Sequence, residues 1–197
     1  TEVYHVPRIH AKTVAPILDD RRNVNTLYPN GHGRMVAPVP NGKSSLQALK
    51  VSSDIAEIKT AGEIARTCHQ SYGIFPNLVS PMSHLAVAPI MFWPNGINKC
   101  RMETWTIAPQ WKEGLKPDLW TVNDGKELCA ILLEDTQFGE KIQKSMESRG
   151  FEGVPLSYQE ARIYHWNQAA DLMIGIENIP DDLRVQQVIS DDWIYPN

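Results

Sequence analysis

Apolar and polar positions follow two rhythms along this chain, and the change of rhythm marks its elements. From 54 to 70, Ile55, Ile58, Ile64, Ala65 and Cys68 roughly share one face, which predicts a helix. Asp54 and Glu57 supply a capping box at its start. Apolar runs then predict two or three strands, "YGIFPNLVS" at 72–80, "LAVAPIMFW" at 85–93 and "KCRMETWTIAP" at 99–109. Pro94-Asn95-Gly96 separates the last two and predicts a hairpin turn, hence antiparallel pairing. The helical rhythm returns at 134–149. There Phe138, Ile142 and Met146 stack at four-residue spacing, Glu140 and Lys144 form a favourable i,i+4 pair, and Gly150 ends the run. A last helix is predicted over 158–174, with Ile163, Trp166, Ala170, Met173 and Ile174 on one stripe.

The remaining stretches are less regular. Residues 1–18 read as an irregular helix, and the tail "DDWIYPN" as extended or loop. Residues 19–53 read as a loop, rich in Pro, Asn and Gly and carrying two Asn-Gly turn signals. A loop of that length is either a functional cover or a plain surface excursion. Sequential strands joined by hairpin turns, with helices gathered elsewhere, argue for an α+β fold rather than βαβ repeats.

Composition narrows the class. A chain of 197 residues is the size of one domain and buries a core without needing disulfides. The formal net charge is -4 and no basic run stands out, so nothing points to a nucleic-acid partner. Cys68, Cys100 and Cys129 form an odd, scattered set without a CxxC, which favours a reducing cytoplasm over a disulfide framework. The longest apolar stretch is too short to span a bilayer and contains a proline, so no membrane segment is expected.

The candidate chemistry begins at "YHVPRIH". His5 and His10 lie five apart, which an ideal helix points in different directions. Pro7 between them perturbs the turn and permits the two imidazoles to converge as metal ligands; the alternative is a pair of ordinary surface or packed histidines. Carboxylate partners are plentiful. Glu134 and Asp135 follow an apolar run at a helix start, a place where acids also suit the helix dipole, and Glu160 is another. Further histidines stand at 32, 69, 84 and 165. Two histidines and one carboxylate with open positions suit a non-heme iron(II) facial triad, and zinc uses the same ligand types.

Three blocks carry a resemblance. "EVYHVPRIH", the central strands "YGIFPNLV", "FWP" and "METWTIAP", and "EDTQFGEKIQKSMESRG" followed by "LSYQEARIYHWNQ" are similar to the catalytic domain of Rieske-type non-heme iron aromatic-ring-hydroxylating oxygenases, the alpha (large) subunit. The first and third blocks are specific in combination, and the likeness covers nearly the whole chain. The resemblance implies that His5, His10 and Asp135 hold iron and that Glu160 is a decoy downstream of the ligand helix. Glu2 stands where the family has an aspartate that links an iron-ligand histidine to the Rieske centre of a neighbouring subunit.

The resemblance also implies a helix-grip fold of the START/Bet v 1 kind, an antiparallel sheet around a long C-terminal helix with an apolar cavity between them. The expected activity is oxygen-dependent mono- or dihydroxylation of an aromatic or similarly apolar ring. Val6, Ile9, His32, Phe92, Trp93 and Phe138 are candidates for the substrate pocket; the alternative for the apolar ones is a place in the core, and His32 lies in the loop that would cover the entrance. The family's two-cysteine, two-histidine pattern for a [2Fe–2S] cluster is missing, so the chain is expected to be a single catalytic domain, residues 1–197, from the C-terminal part of a longer protein. Implied partners are NAD(P)H through a separate reductase, a ferredoxin in some members, a homotrimeric assembly, and in some members a beta subunit. Two rival readings share the residues: a zinc-dependent hydrolase, and a non-catalytic binding domain for apolar ligands in which the triad residues lie apart.

Overall fold

The computed structural model describes residues 2–16, 22–39, 56–105, 107–109 and 130–194, with the backbone alone at 2–4 and 130. Six strands form one antiparallel sheet in sequence order. They are β1 (Val24–Tyr28), β2 (His32–Pro38), β3 (Cys68–Ile74), β4 (Leu78–Met82), β5 (Ile90–Pro94) and β6 (Cys100–Thr104). Helices α1 (Glu2–Ile9), α2 (Glu63–Thr67), α3 (Ala130–Thr136), α4 (Gly139–Met146), α5 (Ala161–Ile174) and α6 (Asp191–Ile194) complete it, with short 3-10 turns at 158–160, 176–178 and 181–183. No helix among the described residues is long and apolar enough to cross a membrane.

The first hairpin lies inside the stretch read as loop. β1 and β2 pair from Val24↔Val36 to Tyr28↔His32 across Asn30 and Gly31, which both take positive φ, 62° and 79°. That conformation suits Asn-Gly and matches the twist of a hairpin. β2 alternates strictly, with Gly33, Met35 and Ala37 buried. Two of those three buried positions are Gly and Ala, so the period-two signal is faint in the sequence. Gly33 is small for a reason: a Cβ there would stand 3.0 Å from the Arg162 side chain of α5.

Pleating sets Met35, Ala37, His69 and Ser71 on one face, because Met35 pairs Ser71 and Ala37 pairs His69. This inner face receives two layers. The turn after α1 sends Val14 onto Met35 and Ala37. α5 covers the β1–β2 end, where the Arg162 guanidinium donates to the Ser71 carbonyl at 3.1 Å and His165 Nε2 meets the Tyr28 carbonyl at 2.7 Å.

Other elements differ from the sequence reading in extent. The helix expected at 54–70 is confined to Glu63–Thr67; Asp54 and Ile55 of its proposed start lie outside the described residues. Gly62 in extended conformation precedes it, and Cys68 already belongs to β3. The helix expected at 134–149 begins earlier and is split into α3 and α4 at Gln137-Phe138. Thr136 Oγ1 there bonds back to the Leu132 carbonyl, a local bond that competes with helix continuation. The β5–β6 hairpin turns where expected, with Asn95 N–H bonded to the Lys99 carbonyl at 2.8 Å. The tail forms α6 at Asp191–Ile194, and residues 195–197 lie outside the described residues.

The helix-grip expectation requires correction. α5 has 14 residues, and its buried positions are His165, Gln168 and Asp171, not an apolar stripe. Gln168 Oε1 accepts the N–H groups of Val188 and Ile189, and Asp171 Oδ2 accepts that of Val185, so the polar side is satisfied by the chain that follows. Ile163, Trp166, Met173 and Ile174 face outward instead. The apolar concavity of about 660 Å³ is an open groove lined by Ile74, Val79, Phe92, Trp93 and Trp166 among others, not an enclosed cavity around a long helix.

Two measurements test this packing. Gly31→Ala would place a Cβ 2.6 Å from that of Ala169 at a positive φ, and the variant is expected to lose about 2–3 kcal/mol in urea denaturation. His69 is held neutral, its pKa lowered to about 4 chiefly by burial and then by the Arg162 charge. The unfolded chain therefore takes up that proton first, so the contribution is complete above pH 6.5 and is lost as pH falls toward 4. His69→Gln is expected to flatten the pH dependence of unfolding across that window, by at most about 3 kcal/mol.

Candidate metal centre

α1 reads "EVYHVPRI" and contains Pro7, whose ring leaves no N–H for the preceding turn. On an ideal helix His5 and His10 would point ~140° apart. The helix ends at Ile9, and His10 begins a tight turn in which its carbonyl accepts the N–H groups of Thr13 and Val14 at 3.2 and 3.0 Å. The bend swings the second imidazole against the first, with ring centroids 4.7 Å apart and planes at 72°. α3 brings Asp135 to the same point from more than a hundred residues away.

The three donor atoms form a nearly equilateral triangle. His5 Nε2 and His10 Nε2 are 3.0 Å apart, His5 Nε2 and Asp135 Oδ1 3.0 Å, and His10 Nε2 and Asp135 Oδ1 3.2 Å. These contacts to Oδ1 are close, yet neither has the direction of a hydrogen bond, and Oδ1 is a buried oxygen without a hydrogen-bond partner among the described residues. A cation at the common focus resolves that arrangement. Edges of 3.0–3.2 Å place all three donors within reach of a single cation. His10 is buried, its side chain 6% exposed, while those of His5 and Asp135 are 34% and 39% exposed, so the site is accessible from one side.

Behind His10 stands Glu134. Its Oε2 meets His10 Nδ1 at 2.8 Å and accepts the Thr13 hydroxyl at 2.6 Å. The Glu134 carboxyl is held below the usual range chiefly by the Thr13 hydrogen bond and then by that from His10, against burial and the nearby Asp135 charge. An ionised carboxylate only accepts, so Nδ1 carries a proton, and Nε2 is the nitrogen that faces the triangle.

The other candidate residues are distributed around the molecule. Val6, between the two histidines, is buried, and Ile9 is half-buried. Phe138 sits at the α3–α4 break, its N–H on the Asp135 carbonyl at 3.2 Å. Phe92 and Trp93 line the open groove, and Trp93 Nε1 also donates to Glu103. His32 Nδ1 accepts the Phe75 N–H at 2.9 Å at the rim of the sheet. Glu160 is outside the triangle and caps its own turn by accepting the Ser157 N–H. Glu2 belongs to α1, but its side chain lies outside the described residues. Sequence reasoning missed the pairing of Glu134 and Thr13 with His10. Their nearness to Asp135 and His10 in the chain was the available signal.

Two imidazoles and one carboxylate converging from one side are a donor set consistent with a mononuclear ferrous ion, which His5, His10 and Asp135 would hold. This defines the protein as a mononuclear non-heme iron type. The chain matches the family model for the ring hydroxylating alpha subunit (catalytic domain) over residues 1–175 and belongs to that family. It is the catalytic oxygenase domain of a Rieske-type ring-hydroxylating enzyme. No curated protein and no solved structure matches it. The fold is accordingly that of the ring-hydroxylating alpha subunit with its His/His/Asp triad, which replaces the START/Bet v 1 assignment built around an apolar ligand cavity.

Loss of the anionic donor should be decisive. Asp135→Ala is expected to weaken Co(II) binding to the metal-free protein at least ~100-fold by calorimetric titration, while Glu160→Gln leaves it unchanged.

Proposed function

We propose that His5, His10 and Asp135 hold a mononuclear ferrous ion and that the domain hydroxylates an aromatic or similarly apolar ring with O2. The observation that carries this reading is the triangle of donor atoms with edges of 3.0–3.2 Å, together with family membership. Ferrous iron bound there supplies the redox chemistry that makes O2 reactive toward a ring carbon.

The side chains prepare the place for it. Asp135 contributes the negative charge that offsets the cation, and the neutral imidazoles contribute lone pairs. The exposed flanks of His5 and Asp135 leave O2 and substrate an approach from one side. Val6, between the histidines in the chain, is buried and is proposed to help keep water from the site. Phe92 and Trp93 are proposed to receive the substrate. They line a groove of about 660 Å³, within the range of small-molecule sites, and its walls are almost wholly apolar. Ile9, His32 and Phe138 are weaker members of the same proposal.

Electrons are proposed to come from NAD(P)H through a separate reductase, with or without a ferredoxin, and then through a Rieske [2Fe–2S] centre on another domain. Glu2, one turn before His5 in α1, is the proposed link to that centre. A homotrimer, with or without a beta subunit, would bring a neighbouring cluster to each iron site, and a cytoplasmic location suits the free thiols of Cys68 and Cys100.

Anaerobic purification followed by metal analysis tests the reading. One iron per chain is expected beyond any cluster iron, with substrate-dependent O2 uptake that Asp135→Ala abolishes. Stoichiometric zinc without O2 uptake would favour the hydrolase instead. Family membership argues against that rival, and the triangle's convergence argues against a binding domain whose triad residues stand apart.

A further inference from the structure

We propose that Glu134 is a positioning residue that locks His10 in its metal-binding tautomer and orientation, with Thr13 as its clamp. The inference rests on the reading that the triangle holds a metal. Glu134 and Asp135 are neighbours on α3, and adjacent helical residues diverge by ~100°. One carboxylate therefore reaches the open side of His10 and the other reaches behind it. Asp135 Oδ1 stands 3.2 Å from Nε2, and Glu134 Oε2 stands 2.8 Å from Nδ1 of the same ring. The acidic pair divides its labour: one side chain binds, the other orients what binds.

The clamp is a closed circuit. The His10 carbonyl accepts the Thr13 N–H at 3.2 Å, the Thr13 hydroxyl donates to Glu134 Oε2 at 2.6 Å, and the same oxygen accepts from His10 Nδ1. Turning the imidazole breaks the circuit, and with His10 only 6% exposed, water is poorly placed to repair it. An anion on the far nitrogen also makes Nε2 a stronger donor to a cation. The circuit has a second effect. It joins the turn after α1 to α3, so the histidine and carboxylate halves of the site are fixed to each other by more than the metal.

The test uses the intact protein that carries this chain, stripped of its mononuclear metal and titrated with Co(II). Affinity is read by calorimetry and ligand geometry by the EPR spectrum of high-spin Co(II), any [2Fe–2S] cluster being kept oxidised and silent. Glu134→Ala is expected to weaken binding about 10–100-fold and to alter the EPR spectrum. Glu134→Gln, which keeps an acceptor for Nδ1–H, should restore most of both. Thr13→Val removes one hydroxyl and should weaken binding about 3-fold.

Unchanged affinity and spectrum in Glu134→Ala would overturn the proposal. So would a Glu134→Gln variant as impaired as Glu134→Ala, or a complete loss equal to that of Asp135→Ala, which would make Glu134 itself a ligand. Should Glu134→Ala fail to fold, an unaltered Thr13→Val decides against the clamp. Failure of the parent reading is distinct: Asp135→Ala would then leave Co(II) binding intact, and both ideas fall.

Discussion

Three donor atoms from distant parts of the chain converge to about 3 Å of one another, and the protein holds them there ahead of any cation. The fold does so by planting each donor on an element that is fixed for other reasons. Val14 packs on Met35 and Ala37, which anchors the turn that begins at His10. α3 presents Asp135 and Glu134 together, and the Glu134 contact with His10 and Thr13 brings α3 to that turn. Everything the site does depends on this prior arrangement, because a metal centre that is loose by an ångström loses both affinity and a defined open side.

The sheet supplies the rigidity. Its first four strands pair with one another over five to six residues at each junction, and their inner face is where both the turn after α1 and α5 dock. The small residues Gly33 and Ala37 let those layers come close. β4 and β5 share a much shorter register, two residue pairs, and it is beside this looser junction that the apolar groove opens. The firm part of the sheet thus backs the His/His/Asp triad, and the apolar groove opens beside the less firm part.

How far the chain could be read in advance differs from element to element, for physical reasons. His5 and His10 were legible because Pro7 and their odd spacing stand out, and Asp135 because the block around it resembles a family. Glu134 looked like an ordinary helix-start acid; its partner lies 124 residues away, a distance that local pattern does not report. The first hairpin hid because two of its buried positions are Gly and Ala, which carry little hydrophobic signal. α5 is the most instructive difference. Its periodicity correctly marked a helix and an apolar side, but periodicity does not say which side is inside. His165, Gln168 and Asp171 turn inward because backbone groups at Tyr28 and 185–189 stand ready to pair them, and the cost of burying them is thereby offset. The helix-grip expectation had another source, the family resemblance, and it is corrected by the family's own fold with its His/His/Asp triad.

The distance along the chain between the histidines and Asp135 carries a temporal meaning. A ribosome makes the two imidazoles first and the carboxylate more than a hundred residues later. Two neutral nitrogens on a nascent segment grip ferrous ion weakly, and the third donor comes into place only once α3 has emerged and docked. The complete set of three donors therefore exists only after β1–β6, which lie between the histidines and Asp135 in the chain, have been made.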